Sequence, residues 1–171
     1  MGQANMQRHK EHNMIYSSAT VTVNPTGETP LTREQLWAGL VLKARDARQF
    51  LPPGLCTKCD VVAEGPNYII RDAVIMNDEL VEFISFVPLK KVSFHQVKGP
   101  REGVIVNEIF EDETGALHVK FYAYLGLLDH PPGSEQEQQA QAMMDSPERG
   151  YKAALLSTLS RTRNLVSTGK L

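Results

Sequence analysis

Between Leu55 and Leu127 apolar residues recur at every second position, and five short turn clusters interrupt the pattern. The clusters are Glu64-Gly65-Pro66-Asn67, Asn77-Asp78-Glu79, Pro88-Leu89-Lys90, Gly99-Pro100-Arg101 and Asp112-Glu113-Thr114-Gly115. Period two is the pattern of a strand with one buried face. Parallel strands need a crossover of about a dozen residues or more, and none of these separators is long enough. The segment therefore reads as six consecutive antiparallel strands, at roughly 55–64, 68–76, 80–87, 91–98, 103–112 and 116–126.

The flanks are helical, apart from one more strand. Met14 to Val23 alternates and is rich in Thr and Val, which predicts a strand ending at Asn24-Pro25-Thr26-Gly27. Thr32 with Gln35 forms a capping box, and Leu31 and Leu36 hold the staple positions. Leu36, Leu40 and Ala44 recur at four-residue spacing, predicting an amphipathic helix over 33–48 that Pro52-Pro53-Gly54 terminates. After Asp129-His130-Pro131-Pro132-Gly133, Ser134 and Glu137 repeat the capping signature and start a helix that runs to about Asp145. Ser146-Pro147 is a second start signal, and the stripe Tyr151, Leu155, Leu159, Thr162 predicts a long C-terminal helix, kinked or broken near Pro147. Residues 1–13 carry little to bury and read as a disordered polar arm, leaving 14–171 as a single domain.

Composition excludes several classes. The 171 residues carry a formal charge of −2 without a basic block, so nucleic acid is not the expected partner. No apolar run approaches the roughly 18–20 residues of a membrane span, and the polar N-terminus has no secretory core, so a cytoplasmic protein is expected. Cys56-Thr57-Lys58-Cys59 is a C-x-x-C followed by a strand, not by the helix N-terminus a redox pair uses. His9 and His12 would formally complete a zinc set with the cysteines, but neither this nor any nucleotide fingerprint is convincing. No metal and no cofactor are expected.

Strand, helix, six antiparallel strands and a long helix is the element order of an α+β helix-grip fold. In that fold a seven-stranded curved antiparallel sheet wraps a C-terminal helix and leaves a ligand cavity between them. The run Leu31-Thr32-Arg33-Glu34-Gln35-Leu36-Trp37-Ala38-Gly39-Leu40, the following Lys43-Ala44-Arg45, and the strand pair Tyr68–Arg71 and Leu80–Phe83 resemble the AtaL-like family of the START / birch-pollen-allergen (SRPBCC) superfamily. The likeness covers residues 14–128 and the last helix. The segment Ser134–Gly150 is longer and more broken than the family pattern, and the N-terminal arm lies outside it. The resemblance implies a small-molecule binder or cofactor-free catalyst of a natural-product pathway. It brings no catalytic motif that can be carried onto named residues.

Candidate site residues follow from strand alternation. Leu117, Val119, Phe121, Ala123 and Leu125 make one apolar face of the last strand and should point inward. Tyr122 and Tyr124 on the other face suit either a homodimer patch or a bed for the N-terminal arm. A turn at Asn77-Asp78-Glu79 would pair Ala73 with Phe83 and Arg71 with Ser85, facing Arg71 into the cavity and Glu82 outward. A two-residue turn would instead set Asp72 opposite Phe83 and expel Arg71. The first register has the more apolar inward face and is preferred. An inward Arg71 would bind a carboxylate, enolate or phenolate of the ligand, or pair with Glu108. In Val104–Phe110, alternation turns either Asn107 or Glu108 inward: Glu108 as a general base, Asn107 as a donor to a carbonyl. His130, in the loop before the helices, is a candidate proton shuttle, whereas His95 and His118 read as exposed. The expected catalytic set is Arg71, Glu108 and His130. Trp37, Phe83, Ser85, Asn107, Phe121 and Leu155 are the expected ligand-binding residues. The expected function is binding of a hydrophobic small molecule, with cyclisation, isomerisation or dehydration, or else carriage without chemistry.

Overall fold

The computed structural model describes residues 14–171, so the expectation of a disordered arm falls outside the described residues. Seven strands form one antiparallel curved sheet: β1 (Ile15–Thr22), β2 (Cys56–Gly65), β3 (Tyr68–Ile75), β4 (Asp78–Val87), β5 (Lys91–Lys98), β6 (Arg101–Glu111) and β7 (Leu117–Leu127). Their order is β1-β7-β6-β5-β4-β3-β2. The meander is as expected, and β1 closes onto the last strand, leaving β1 and β2 at the edges. Three α-helices complete the described residues: α1 (Arg33–Arg45), α2 (Glu135–Asp145) and α3 (Tyr151–Ser167).

Local chemistry accounts for the helix ends. The Thr32 hydroxyl accepts from the Gln35 N–H at 3.1 Å, and the Gln35 carbonyl oxygen accepts from the Thr32 N–H at 2.9 Å. α1 stops earlier than expected because Asp46 leaves the helical conformation and its carboxylate caps a 3-10 turn, Ala47–Gln49. Ser134 caps α2. Ser146 and Pro147 do not start the last helix. They open a turn in which the Gly150 N–H bonds to the Ser146 carbonyl at 2.7 Å, and α3 begins at Tyr151.

The helices cover one face of the sheet. α3 lies against β1, β7 and α1. Leu36, Leu40, Leu155 and Leu159 join Ile84, Val92, Phe94, Val119 and Phe121 in the main core. The two helices touch at Gly39, where an added Cβ would overlap the buried Thr162 side chain. Gly39→Ala should therefore lower stability by about 1–3 kcal/mol through overpacking, read from the shift in urea midpoint. An unchanged midpoint would mean that α3 simply moves aside.

The β3–β4 hairpin differs from both expected registers. Ile75 pairs with Asp78, so the loop is the two residues Met76 and Asn77, with φ of 52° and 68°. Two consecutive positive φ values mark a turn whose twist matches the strands. Arg71 consequently lies opposite Glu82, not Ser85, and Asp72 lies opposite Val81, not Phe83. Arg71 still faces the helices, but Glu82 now does so too, while Phe83 and Ser85 turn to the outer face. Met76 is 53% exposed, so its side chain packs against little. Met76→Gly should relieve the left-handed strain and stabilise the protein by roughly 0.5–1 kcal/mol net of the entropy of glycine, measured by urea unfolding.

Candidate functional site

Cross-strand partners share a face, so the register orders the inner face into rows. One row reads Ile15, Leu125, Gly103, Gln96, Glu82, Arg71, Val61 from β1 to β2. A second reads Ala19, Phe121, Asn107, Val92, Phe86. The polar groups of the site come from these two rows and from the helices above them.

In the first row, Arg71 and Glu82 are each 4% exposed. The Arg71 Nε donates to Glu82 Oε2 at 2.9 Å, and its Nη2 forms an ion pair with the same oxygen. The Arg71 Nη1 donates to the carbonyls of Lys43 at 3.2 Å and Ala44 at 2.9 Å, the last turn of α1. Gln96 Nε2 donates to Glu82 Oε1 at 2.8 Å. The guanidinium thus binds a carboxylate on one side and the negative end of a helix on the other. It is a clamp between α1 and the sheet, with its fork committed to protein oxygens rather than to a ligand.

The second row holds the chemistry. Lys43 projects from α1 over the Phe121 ring, with Nζ 4.2 Å from the centroid, and donates to Thr158 Oγ1 on α3 at 3.3 Å. The Thr158 hydroxyl itself donates to the Ala154 carbonyl at 2.8 Å. No carboxylate pairs with Lys43 among the described residues. Burial, and secondarily the charge of Arg71, pull its amine down from 10.5 to about 7. Asn107, the cross-strand neighbour of Phe121, is 2% exposed, and its Oδ1 has no hydrogen-bond partner. A buried acceptor without a donor is costly, which makes this oxygen available to a hydroxyl or amine. Tyr151 meets Phe121 edge to face at 6.2 Å, and burial pushes its phenol up to about 12, with the charge of Arg101 acting the other way.

A cleft of about 250 Å³ opens beside the edge strand β1, lined by Ser18, Ala19, Thr20, Met144, Asp145, Pro147 and Lys152. Ala19 ends the row that carries Phe121 and Asn107. Met144 accepts a 3.7 Å hydrogen bond from the Tyr151 hydroxyl. Tyr151 therefore touches both Met144, in the cleft lining, and Phe121, the ring beneath Lys43. A second cleft, of about 410 Å³, lies beside α2.

The residues expected from sequence divide cleanly. Trp37, Asn107, Phe121 and Leu155 face the interior, with Trp37 edge-on to Phe86 at 6.2 Å. Arg71 faces inward but is spent on Glu82 and α1. Glu108 lies on the outer face between Lys91 and Lys120, because alternation turned Asn107 inward instead. Phe83 stacks outside on Tyr68 at 5.3 Å, and Ser85 sits beside it in the register. His130 is exposed in the loop after β7. Lys43, Glu82, Gln96, Thr158 and Tyr151 were missed. A bulge places both cysteines on one face of β2, where they are buried and free. Burial raises the Cys56 thiol, opposite to a reactive cysteine. The described residues contain no cluster of three or more metal-ligating side chains, and no helix long and apolar enough to cross a membrane.

The fold is that of the START / birch-pollen-allergen superfamily. It is similar to the Zhui aromatase/cyclase from Streptomyces sp. R1128, with TM-score 0.67 and 14% identity over 93% of this chain and 100% of that one. It is also similar to the di-domain aromatase/cyclase StfQ from the steffimycin biosynthetic pathway, with TM-score 0.62 and 9% identity over 94% of this chain and 53% of that one. Ara h 8.0201 matches with TM-score 0.57 and 8% identity over 91% of this chain and 99% of the other. At these identities the likeness is one of fold. No curated relative matches the sequence. Residues 17–169 match the family model described as AtaL, acetylaranotin biosynthesis cluster protein L, and the chain belongs to that family.

Proposed function

We propose that this protein is a cofactor-independent enzyme of a natural-product pathway. It holds an apolar intermediate against the inner face and cyclises, isomerises or dehydrates it. The observation that carries this reading is the Lys43 amine over the Phe121 ring, without a carboxylate partner among the described residues, together with the unpartnered oxygen of Asn107, the cross-strand neighbour of Phe121. Both groups cost stability where they stand. Enzymes tune a lysine toward neutral pH by this kind of burial. Phe121, Trp37, Phe86 and Leu155 supply shape, and Lys43 and Asn107 meet charge or hydroxyls developing on the substrate. Family membership and the aromatase/cyclase folds agree with this assignment.

Commitment of Arg71 to Glu82 and α1 favours a second reading. With Glu108 outside and His130 solvated, none of the three residues first expected to act as catalysts is free on the inner face, which suits a carrier. Native mass spectrometry of protein taken from the organism that encodes it, with identification of the released compound, separates the two. A bound aromatic or polyketide-like intermediate that wild type converts, and that Lys43→Met binds but converts at least about a hundredfold more slowly, is the expected result. Binding without conversion by either form would establish the carrier, and a protein that binds no such compound would end both readings.

A further inference from the structure

We infer that Lys43 is a nucleophilic amine that condenses with a ketone or aldehyde carbonyl of the ligand to form an iminium. The inference rests on the inner-face site proposed above and names its reacting group and substrate class.

The surroundings of the amine support it from each packed element. From β3, the Arg71 guanidinium presents like charge. From β4, Glu82 is held by Arg71 and Gln96 and is not free to pair with the ammonium. From β7, the Phe121 ring lies 4.2 Å beneath the nitrogen, and from α3 the Thr158 hydroxyl accepts one N–H at 3.3 Å. A lysine desolvated among apolar groups and next to another cation is the arrangement that frees an amine lone pair near neutral pH. Thr158 can hold one N–H of the neutral amine because its own proton is committed to the Ala154 carbonyl. The lone pair is then left for a ligand.

The chemistry balances without an oxidant or reductant. The Nζ lone pair forms a bond to the carbonyl carbon, and the carbonyl π pair moves to oxygen. A proton passes from the nitrogen to that oxygen, giving a carbinolamine. Protonation and loss of the hydroxyl as water then give the iminium. Asn107 Oδ1, buried and unpartnered in the same row as Phe121, is the acceptor for the carbinolamine hydroxyl. An iminium acidifies the adjacent C–H, which is what a carbon–carbon cyclisation or isomerisation of a carbonyl compound requires.

Reductive trapping tests this directly. The protein is incubated at pH 7 with benzaldehyde and cyanoborohydride, and labelled lysines are mapped by peptide mass spectrometry. Binding is followed separately through Trp37, the one tryptophan of the chain, which packs against Phe86. Lys43 should be benzylated at least about tenfold faster than the exposed Lys98 at pH 7, since burial lowers the Lys43 amine to about 7. That preference should narrow toward pH 10 as surface amines lose their protons. Lys43→Arg should keep the Trp37 response and lose the selective label. A saturable Trp37 response with Lys43 labelled no faster than Lys98 would overturn the imine and leave the binding site standing. Loss of both signals would overturn the imine and the inner-face site together.

Discussion

Arg71→Met and Glu82→Leu should each destabilise the protein by about 3–5 kcal/mol, the largest losses expected of any single substitution here. Both side chains are almost fully buried, and each is the other's charge partner. Removing the arginine leaves a buried carboxylate whose one remaining side-chain partner among the described residues is Gln96. It also leaves the carbonyls of Lys43 and Ala44 without their donor at the negative end of α1. Removing the carboxylate's charge strands a guanidinium in the core. The pair Arg71→Met with Glu82→Leu should cost far less than the sum, because two apolar groups bury no uncompensated charge. Urea unfolding of the four forms measures the coupling. Two single variants that each lose under about 1 kcal/mol and simply add would show the pair to be solvated. The clamp also bears on function. It fixes the turn of α1 from which Lys43 projects, so loss of Arg71 should blunt any Lys43-dependent trapping even in the fraction that remains folded.

The sequence made the strands legible because their turns carry Gly, Pro and Asn, and those residues punctuate a period-two pattern. It failed at the β3–β4 hairpin because Met76, with φ 52°, is not a residue that announces a left-handed turn. The error shifted the pairing by three positions, from Arg71 opposite Ser85 to Arg71 opposite Glu82. An odd shift reverses the face of every residue on β4, so Phe83 and Ser85 moved out and Glu82 moved in. The choice between Asn107 and Glu108 needed the same kind of information. Glu108 stands between Lys91 and Lys120 across two strand pairs, a charge pattern visible only once the register is known. Lys43 was closer to hand. It lies three residues after Leu40 and four after Gly39, on the buried stripe of α1, and a cation on such a stripe is the departure from pattern that marks a site.

The Lys43 amine should make stability depend on pH in a definite direction. Its folded-state value, about 7, lies below its ordinary 10.5, so the folded protein binds fewer protons than the unfolded chain between those limits. Stability should therefore rise as pH increases from about 7 toward 10.5. Below 7 the amine is charged in both states and the full cost of the buried charge is present. Because Lys43 is partly exposed, that cost is on the order of 2–4 kcal/mol, less than the whole shift would convert to. Lys43→Met keeps the length of the side chain and removes the charge. It should be more stable than wild type at pH 6.5, with the advantage shrinking steadily by pH 9.5. Taking the difference between the two forms cancels the tyrosines and cysteines that titrate in the same range. A difference that does not vary with pH would mean that the ammonium stays hydrated. The neutral amine on which the proposed chemistry depends would then be scarce at physiological pH. A difference that shrinks as expected would show that this family member spends stability to hold a half-deprotonated lysine over Phe121, a cost that folding alone does not require.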